Sequence, residues 1–397
     1  MSRRNFKKYA SSFFLLIRYT QSLLFSFPQF FRVFKMLKMS FDIYPLVRPF
    51  IFALDPEDAH SLAMWCLKKE LTPITDCPVN PVLNVDFCGR KFPHPIGLAA
   101  GFDKDGDVIK QLFQMGFSTV EVGGVTPFPQ QGNPRPRMFR LSSQKAVINR
   151  FGLNNIGYDA FKRKLQAWQD TTSVMTVKPF LGINIAEGDQ YHGEEDAHVL
   201  GLKKLAPYVS YIAINVSCPN VNNACSLEKT DNLASLLEKV MDAKKDLNKK
   251  PFIFLKISPD NSGEQLESIA KVIKGSGLDA IIVSNTTVTR PGVGSHHNAR
   301  ETGGLSGKPL FRLSTDILGK MYQLTDKSIP LIGCGGVSSG ADAYEKIRNG
   351  ATMIQLYTAM VYEGPFVVAK ILKELIELLA RDKFANVNAA VGANFKK

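Results

Sequence analysis

The chain has 397 residues, 45% hydrophobic and 21% charged, the balance of an ordinary globular protein with a large core, which excludes extended disorder over most of its length. Six cysteines (Cys66, Cys77, Cys88, Cys218, Cys225 and Cys334) occur with no C-x-x-C pair and no regular spacing; this excludes a disulfide framework and a structural zinc site, and fits a reducing compartment. The net charge of +13 is uneven, with eight basic and no acidic residues in positions 1–40 and only +5 in the rest.

That first segment, 1–40, has Arg and Lys early, Ser throughout, and apolar clusters at Phe13–Ile17 and Leu23–Phe34. It reads as a mitochondrial presequence running into a membrane-contacting stretch. Arg18, Pro28 and Arg32 break the apolar run, so it falls short of a clean transmembrane helix of about 20 residues. Its density of Phe and Leu argues against a basic nucleic-acid-binding arm, and no nucleic-acid partner is expected.

Residues 41–75 read as two short amphipathic helices, broken near Pro49 and restarted after Asp55, a capping residue with Pro56 in the first helical position. Their apolar surface is large for so short a piece. PVLNVDFCGRKFPHP then alternates around Gly89 as a hairpin does.

From Ile96, eight apolar, β-branched runs alternate with helical patterns: IGLAA, TVEVGGV, LGINIA, YIAINVS, FIFLKIS, AIIVSNT, PLIGCGG and MIQLYTA. Continuous apolar strands separated by helices predict a parallel sheet covered by helices, and eight of them predict an α/β fold of the (β/α)8 TIM-barrel type over 76–397. A doubly wound sheet is the second reading.

In such a barrel the polar residues just after each strand meet at one end. Lys256, inside FIFLKIS, is costly to bury without a partner and so points at a ligand. Gly335 and Gly336, with Ser306 and Gly307 in the preceding long connection, let backbone N–H groups approach a phosphate. No G-x-G-x-x-G follows a strand, and GGLSGKP has Pro309 where a P-loop needs Ser or Thr. A mononucleotide beside a lysine that neutralises a reduced ring points to FMN. Asn149, Asn215, Asn220 and Asn285 can each donate and accept, which suits a flat, cyclic, amide-rich substrate whose carboxylate Lys104 could meet. The connection from Asn285 to Lys308 reads as a lid, and its adjacent His296 and His297 read as exposed residues; no metal site is expected.

In order, AAGFDK, EVGGVTP, GNPRPRMFRL, VINRFGLNN, NVSCPN, SNTTVTRP, ETGGLSGKPL, GGVSSG and QLYTA resemble dihydroorotate dehydrogenase of the membrane-associated, quinone-using class, from about Phe41 to Leu379. The resemblance implies oxidation of dihydroorotate to orotate in pyrimidine biosynthesis, with FMN bound, ubiquinone as acceptor and the mitochondrial inner membrane as location. It implies FMN contacts at Ala99, Ala100, Gly101, Gly124, Asn184, Asn215, Lys256, Ser284, Gly307, Gly336, Tyr357 and Thr358. Orotate contacts are implied at Lys104, Asn149, Asn215, Asn220, Asn285 and Thr286, and a quinone tunnel between the two N-terminal helices near His60 and Arg140.

Several positions depart from that pattern. Gly124 stands where Ser or Thr is usual, Leu153 where an aromatic is usual, and Ile51 where some relatives have Gln. NIAEG and VNNACS replace usual sequences in two loops. Cys218 takes the place of the quinone class's usual serine and matches the catalytic base of the soluble class. A free thiol is roughly 3% ionised at pH 7, so cysteine is the easier base, and Cys218 is read as the general base beside Lys256. The alternatives are the same chemistry with fumarate or NAD as acceptor, and a non-catalytic flavin-binding membrane protein.

Overall fold

The structure, a computed structural model, describes residues 42–72, 75–172, 178–188, 191–217, 230–294 and 296–396. The segment 1–40, Cys218, Asn220 and the VNNACS stretch lie outside the described residues.

Two helices come first, α1 (Tyr44–Phe52) and α2 (Pro56–Lys68). The break falls at Ala53–Asp55 and not at Pro49, which sits inside α1. A proline at the sixth position removes one i→i−4 bond and crowds the carbonyl before it, a local loss that the tertiary anchors of α1 at Tyr44 and Arg48 offset. Asp55 caps α2 as expected, accepting from Glu57 N at 2.9 Å. Next comes the hairpin β1 (Val85–Phe87) and β2 (Arg90–Phe92). Its two-residue turn is Cys88–Gly89, both with positive φ, the twist a tight hairpin demands.

Strands β3 (Ile96–Leu98) and β4 (Thr119–Val125) begin the barrel; β5 (Met138–Leu141) and β6 (Ala146–Asn149) leave it. Strands β7 (Phe180–Ile185), β8 (Tyr211–Asn215), β9 (Phe252–Ile257) and β10 (Ala280–Val283) continue it. Strand β11 (Gly304–Gly307) joins β5 and β6, and β12 (Leu331–Cys334) and β13 (Ala351–Leu356) complete the ring. All eight barrel strands are those expected, every pair is parallel, and β13 closes onto β3 through Ile354 and Ile96. A closed ring excludes the doubly wound sheet. Strands β7, β8 and β10 are buried at every residue, because inward side chains fill the barrel and outward ones meet helices.

The helices between strands follow their local signals. Ser262 and Gln265 form a capping box at the start of Gly263–Ser276, and Gly277 ends that helix in the left-handed conformation. At the N-terminal end of the barrel Phe87 packs on Phe254 (5.6 Å between ring centroids), which stacks on Tyr211 (4.3 Å). Gly182 makes room for this stack, since a Cβ there would fall 2.0 Å from the Tyr211 ring.

The antiparallel sheet β5–β6–β11 was not anticipated. It pairs Asn149 with both Met138 and Gly304, so the stretch read as a lid is partly a strand edge-paired to β6. Helix α2 docks beside this sheet. Arg137 Nη2 and Nε reach the Glu57 carboxylate at 2.8 and 3.2 Å, and Arg135 adds a contact at 3.1 Å. Tyr44 donates to Val361 O (2.6 Å) and Arg48 to Tyr362 O (2.8 Å), which tethers α1. The opposite faces of α1 and α2 leave Leu46 (67% exposed), Phe50 (69%) and Trp65 (52%) unpacked.

Candidate active site

Barrel register brings the strand-end polar residues to one level. Asn184 lies opposite Gly123 and Ala213, and Asn215 opposite Lys256. Their amides form a chain with one direction. Asn285 Nδ2 donates to Asn215 Oδ1 (3.4 Å), Asn215 Nδ2 to Asn184 Oδ1 (3.1 Å), and Asn184 Nδ2 to Glu121 Oε1 (3.0 Å). Glu121 also accepts from Tyr211 OH (3.0 Å) and Gln355 Nε2 (2.8 Å). A fully buried carboxylate at the chain's end accepts hydrogen bonds only, so it sets which way each amide faces. Asn285 is held further by Ser217 O (2.9 Å), and Thr286 N donates to Asn285 Oδ1 (2.8 Å).

Lys256 is 6% exposed, and its ammonium has no hydrogen-bond or ion-pair partner among the described residues. It lines a cleft at the C-terminal mouth of the barrel. An ammonium left without protein partners at the mouth of a cleft calls for a ligand that is anionic or rich in acceptors.

Across the cleft, Gly307, Gly335 and Gly336 have φ of +93°, +112° and +78°. A Cβ at Gly336 would come 2.5 Å from the Phe311 backbone, so only glycine lets this turn pack on the start of the helix Phe311–Leu324. Thr358 Oγ1 donates to Ser306 Oγ (2.9 Å), and Ser306 donates to Val147 O (3.1 Å). Backbone N–H groups of glycine turns suit a phosphate, so the residues present fit a phosphate at one end and a flat ring beside Lys256.

Every described residue expected to bind cofactor or substrate lines this cleft: Ala99, Ala100, Gly101, Lys104, Gly124, Asn149, Asn184, Asn215, Lys256, Ser284, Asn285, Thr286, Ser306, Gly307, Gly335, Gly336, Tyr357 and Thr358. Asn149 arrives from β6 and not from a barrel strand. Lys104 lies 4.7 Å from the Phe151 ring centroid. A Cβ at Gly124 would meet Asn184 Oδ1 at 3.1 Å and Leu153 Cδ2 at 3.3 Å, so the two departures at 124 and 153 adjoin one another in the cleft wall.

His60 and Arg140 stand outside the cleft wall, toward α1 and α2. The His60 ring packs edge-on against Phe102 (5.2 Å), and Phe102 against Tyr357 (5.6 Å), an aromatic path from α2 to the cleft. Burial and the nearby Lys104 ammonium push His60 down to about 4, so the ring is neutral at pH 7. The Arg140 guanidinium bonds the Leu54 carbonyl and lies over the Phe52 ring at 4.7 Å. Its burial among these groups lowers it from the ordinary arginine value.

Glu121, Tyr211 and Gln355 were missed as site residues. The signal was present for Glu121: an acid inside TVEVGGV is as unexpected as the lysine inside FIFLKIS.

A family model described as dihydroorotate dehydrogenase matches residues 82–379. The mitochondrial dihydroorotate dehydrogenase (quinone) of Oryza sativa subsp. japonica is 45% identical over 374 residues, covering 88% of this chain and 80% of its own. That of Mus musculus is 44% identical over 348 residues, 87% of this chain and 88% of its own. A crystal structure of DHODH from Eimeria tenella in complex with ferulenol superposes with a TM-score of 0.82 at 36% identity, covering 86% of this chain and 96% of the other.

Proposed function

The chain belongs to the dihydroorotate dehydrogenase family, and from that premise we propose that it oxidises dihydroorotate to orotate in pyrimidine biosynthesis, binds FMN, and passes the electrons to ubiquinone. The single observation that carries the chemistry is the Lys256 ammonium, without a partner among the described residues, beside the oriented Asn184–Asn215–Asn285 chain in a cleft that also holds the Gly307, Gly335 and Gly336 turns.

FMN, when bound, supplies a two-electron acceptor for the hydride that leaves the dihydroorotate ring. Ala99, Ala100, Gly101, Gly124, Asn184, Ser284, Tyr357 and Thr358 hold it, with Ser306, Gly307, Gly335 and Gly336 around its phosphate. Lys256 offsets the negative charge of a reduced ring. Lys104 meets the substrate carboxylate, while Asn149, Asn215, Asn220, Asn285 and Thr286 match its alternating C=O and N–H groups. Cys218 takes the proton from the ring methylene as hydride departs from the neighbouring carbon.

The quinone reaches the flavin side past α1 and α2, along His60, Arg140 and the Phe102–Tyr357 path. Leu46, Phe50 and Trp65 face the lipid. Among the described residues no helix is long and apolar enough to cross a membrane, so this pair lies on the bilayer surface in this reading. Relatives named as mitochondrial enzymes support a mitochondrial location, here the inner membrane.

The test is direct. Anaerobic dihydroorotate should bleach the bound flavin, and a short-chain quinone should restore its colour faster than fumarate or NAD. Failure to bleach would favour a non-catalytic flavoprotein; preference for fumarate or NAD would move the acceptor to the soluble class that Cys218 brings to mind.

A further inference from the structure

Lys346 is the most deeply buried cation among the described residues, with no exposed surface. It belongs to the helix Gly340–Arg348, and its stem passes Gly333 of β12, where a Cβ would come 3.0 Å from Lys346 Cδ. Its Nζ donates to Ser314 Oγ (2.8 Å) and Thr315 Oγ1 (3.1 Å), and lies 5.2 Å from the Phe311 ring centroid. No ion pair joins it to a carboxylate among the described residues. Asp342 on its own helix and Asp316 on the helix Phe311–Leu324 act on it only at longer range. The third titratable neighbour, Cys334 of β12, is a thiol that burial pushes up.

A buried cation with neutral partners is costly unless an anion sits nearby. The path to one is short. Ser314 Oγ lies 3.0 Å from Gly335 O and 3.1 Å from Phe311 O, and Gly335–Gly336 is the left-handed turn lining the cleft. We propose that Lys346 is a positioning residue and buried counter-charge for the cofactor's phosphate, acting through Ser314 on the Gly335–Gly336 turn. This rests on the FMN reading above and adds a residue to it.

Burial pushes Lys346 down to about 7, so its charge, and with it the hold on a phosphate, is lost as pH rises through that value. A bound phosphate dianion favours the ammonium and draws a proton onto it. Riboflavin, which has the same ring and no phosphate, is indifferent to both effects.

The experiment compares release of FMN and of riboflavin from the flavin-loaded protein, followed by flavin fluorescence on dilution, for the native chain and for Lys346→Met. Lys346→Met should weaken FMN roughly tenfold, as expected for a buried charge lost behind the phosphate-binding turn, with riboflavin unchanged within about twofold. Between pH 6.5 and 8.5, where the phosphate is mainly a dianion, the native protein should lose FMN affinity and Lys346→Met should not. Equal effects on the two flavins, or none, overturn the proposal. Should Lys346→Met fail to fold, Ser314→Ala, which removes the hydroxyl joining Lys346 to Gly335 O, decides, and equal loss or equal retention of the two flavins overturns the proposal. A native chain that takes up neither flavin would instead overturn the cofactor reading itself.

Discussion

Replacing Glu57 by Ala should separate the two half-reactions. Glu57 sits in the first turn of α2 and is nearly buried, with Arg137 on it at 2.8–3.2 Å and Arg135 at 3.1 Å. Burial alone would raise its carboxyl, yet the two guanidinium groups hold it below the usual carboxylate range. Deleting one partner of a buried pair costs about 3–5 kcal/mol. Arg137 keeps its bonds to Gln131 O and Asn133 O (2.8 and 2.9 Å), which favours the lower end, about 3 kcal/mol. At 1.4 kcal/mol per factor of ten this is roughly a hundredfold loss in the ratio of docked to undocked α2.

The barrel strands take no part in that pair; its link to the cleft is Arg137, which lies 5.2 Å from the Phe151 ring centroid. Turnover with a lipophilic quinone should therefore collapse while dihydroorotate oxidation with a soluble dye stays within about twofold, since the strands that carry Asn184, Asn215 and Lys256 take no part in the pair. Trp65 on α2 should change its fluorescence in the variant. The depressed carboxyl also fixes a sign: the pair stabilises above the unfolded value of about 4.3 and weakens only as pH falls through the lower folded value. Docking should hold through pH 5. Parallel loss of both activities, or retention of both, would refute this account of how α2 is held.

Lys256→Met removes a buried ammonium that has no partner among the described residues and should fold, yet lose about 10²–10³ in the rate of flavin reduction, the size of a lost electrostatic stabiliser; an unchanged single-turnover rate would refute its role. Cys218→Ala should cost about 10²–10⁴ in that rate with flavin retained, and Cys218→Ser should keep some activity with its pH optimum moved upward. Phe50→Asp places a charge on the exposed face of α1 and should reduce sedimentation with lipid vesicles while dye-linked activity stays unchanged. Burial pushes His94 down to about 4, against a hydrogen bond with the Gly116 backbone. The unfolded chain then binds a proton that the folded chain refuses, so stability falls by about 3 kcal/mol from pH 6.5 to 4. Thermal melting across that range measures it, and a His94→Gln variant should show a shallower slope.

The barrel was legible because each strand is a continuous β-branched run. Both faces of such a strand are buried, inside against other strands and outside against helices, so the pattern needs no partner to be recognised. Lys256 and the strand-end asparagines were legible for the same reason, as polar residues where burial was already certain. Glu121 gave that signal too, but its meaning lay in partners on β7, β8 and β13, which only barrel closure brings together. Lys346 gave none, since a lysine in YEKIR reads as a solvated helix residue, and only the missing side chain at Gly333 opens the interior to it.

Taken alone, then, the sequence determined the architecture and the ring of chemistry at the strand ends, because those follow from local pattern and the period of the backbone. Tertiary structure decided what is set by distant neighbours. The sheet β5–β6–β11 pairs residues more than 150 positions apart and carries Asn149 into the cleft; α1 runs through Pro49 while held by Val361 and Tyr362; and the direction of the asparagine chain is set by a carboxylate at the barrel's centre. Non-local pairings leave no periodicity in the chain, so each becomes visible only when the ring has closed.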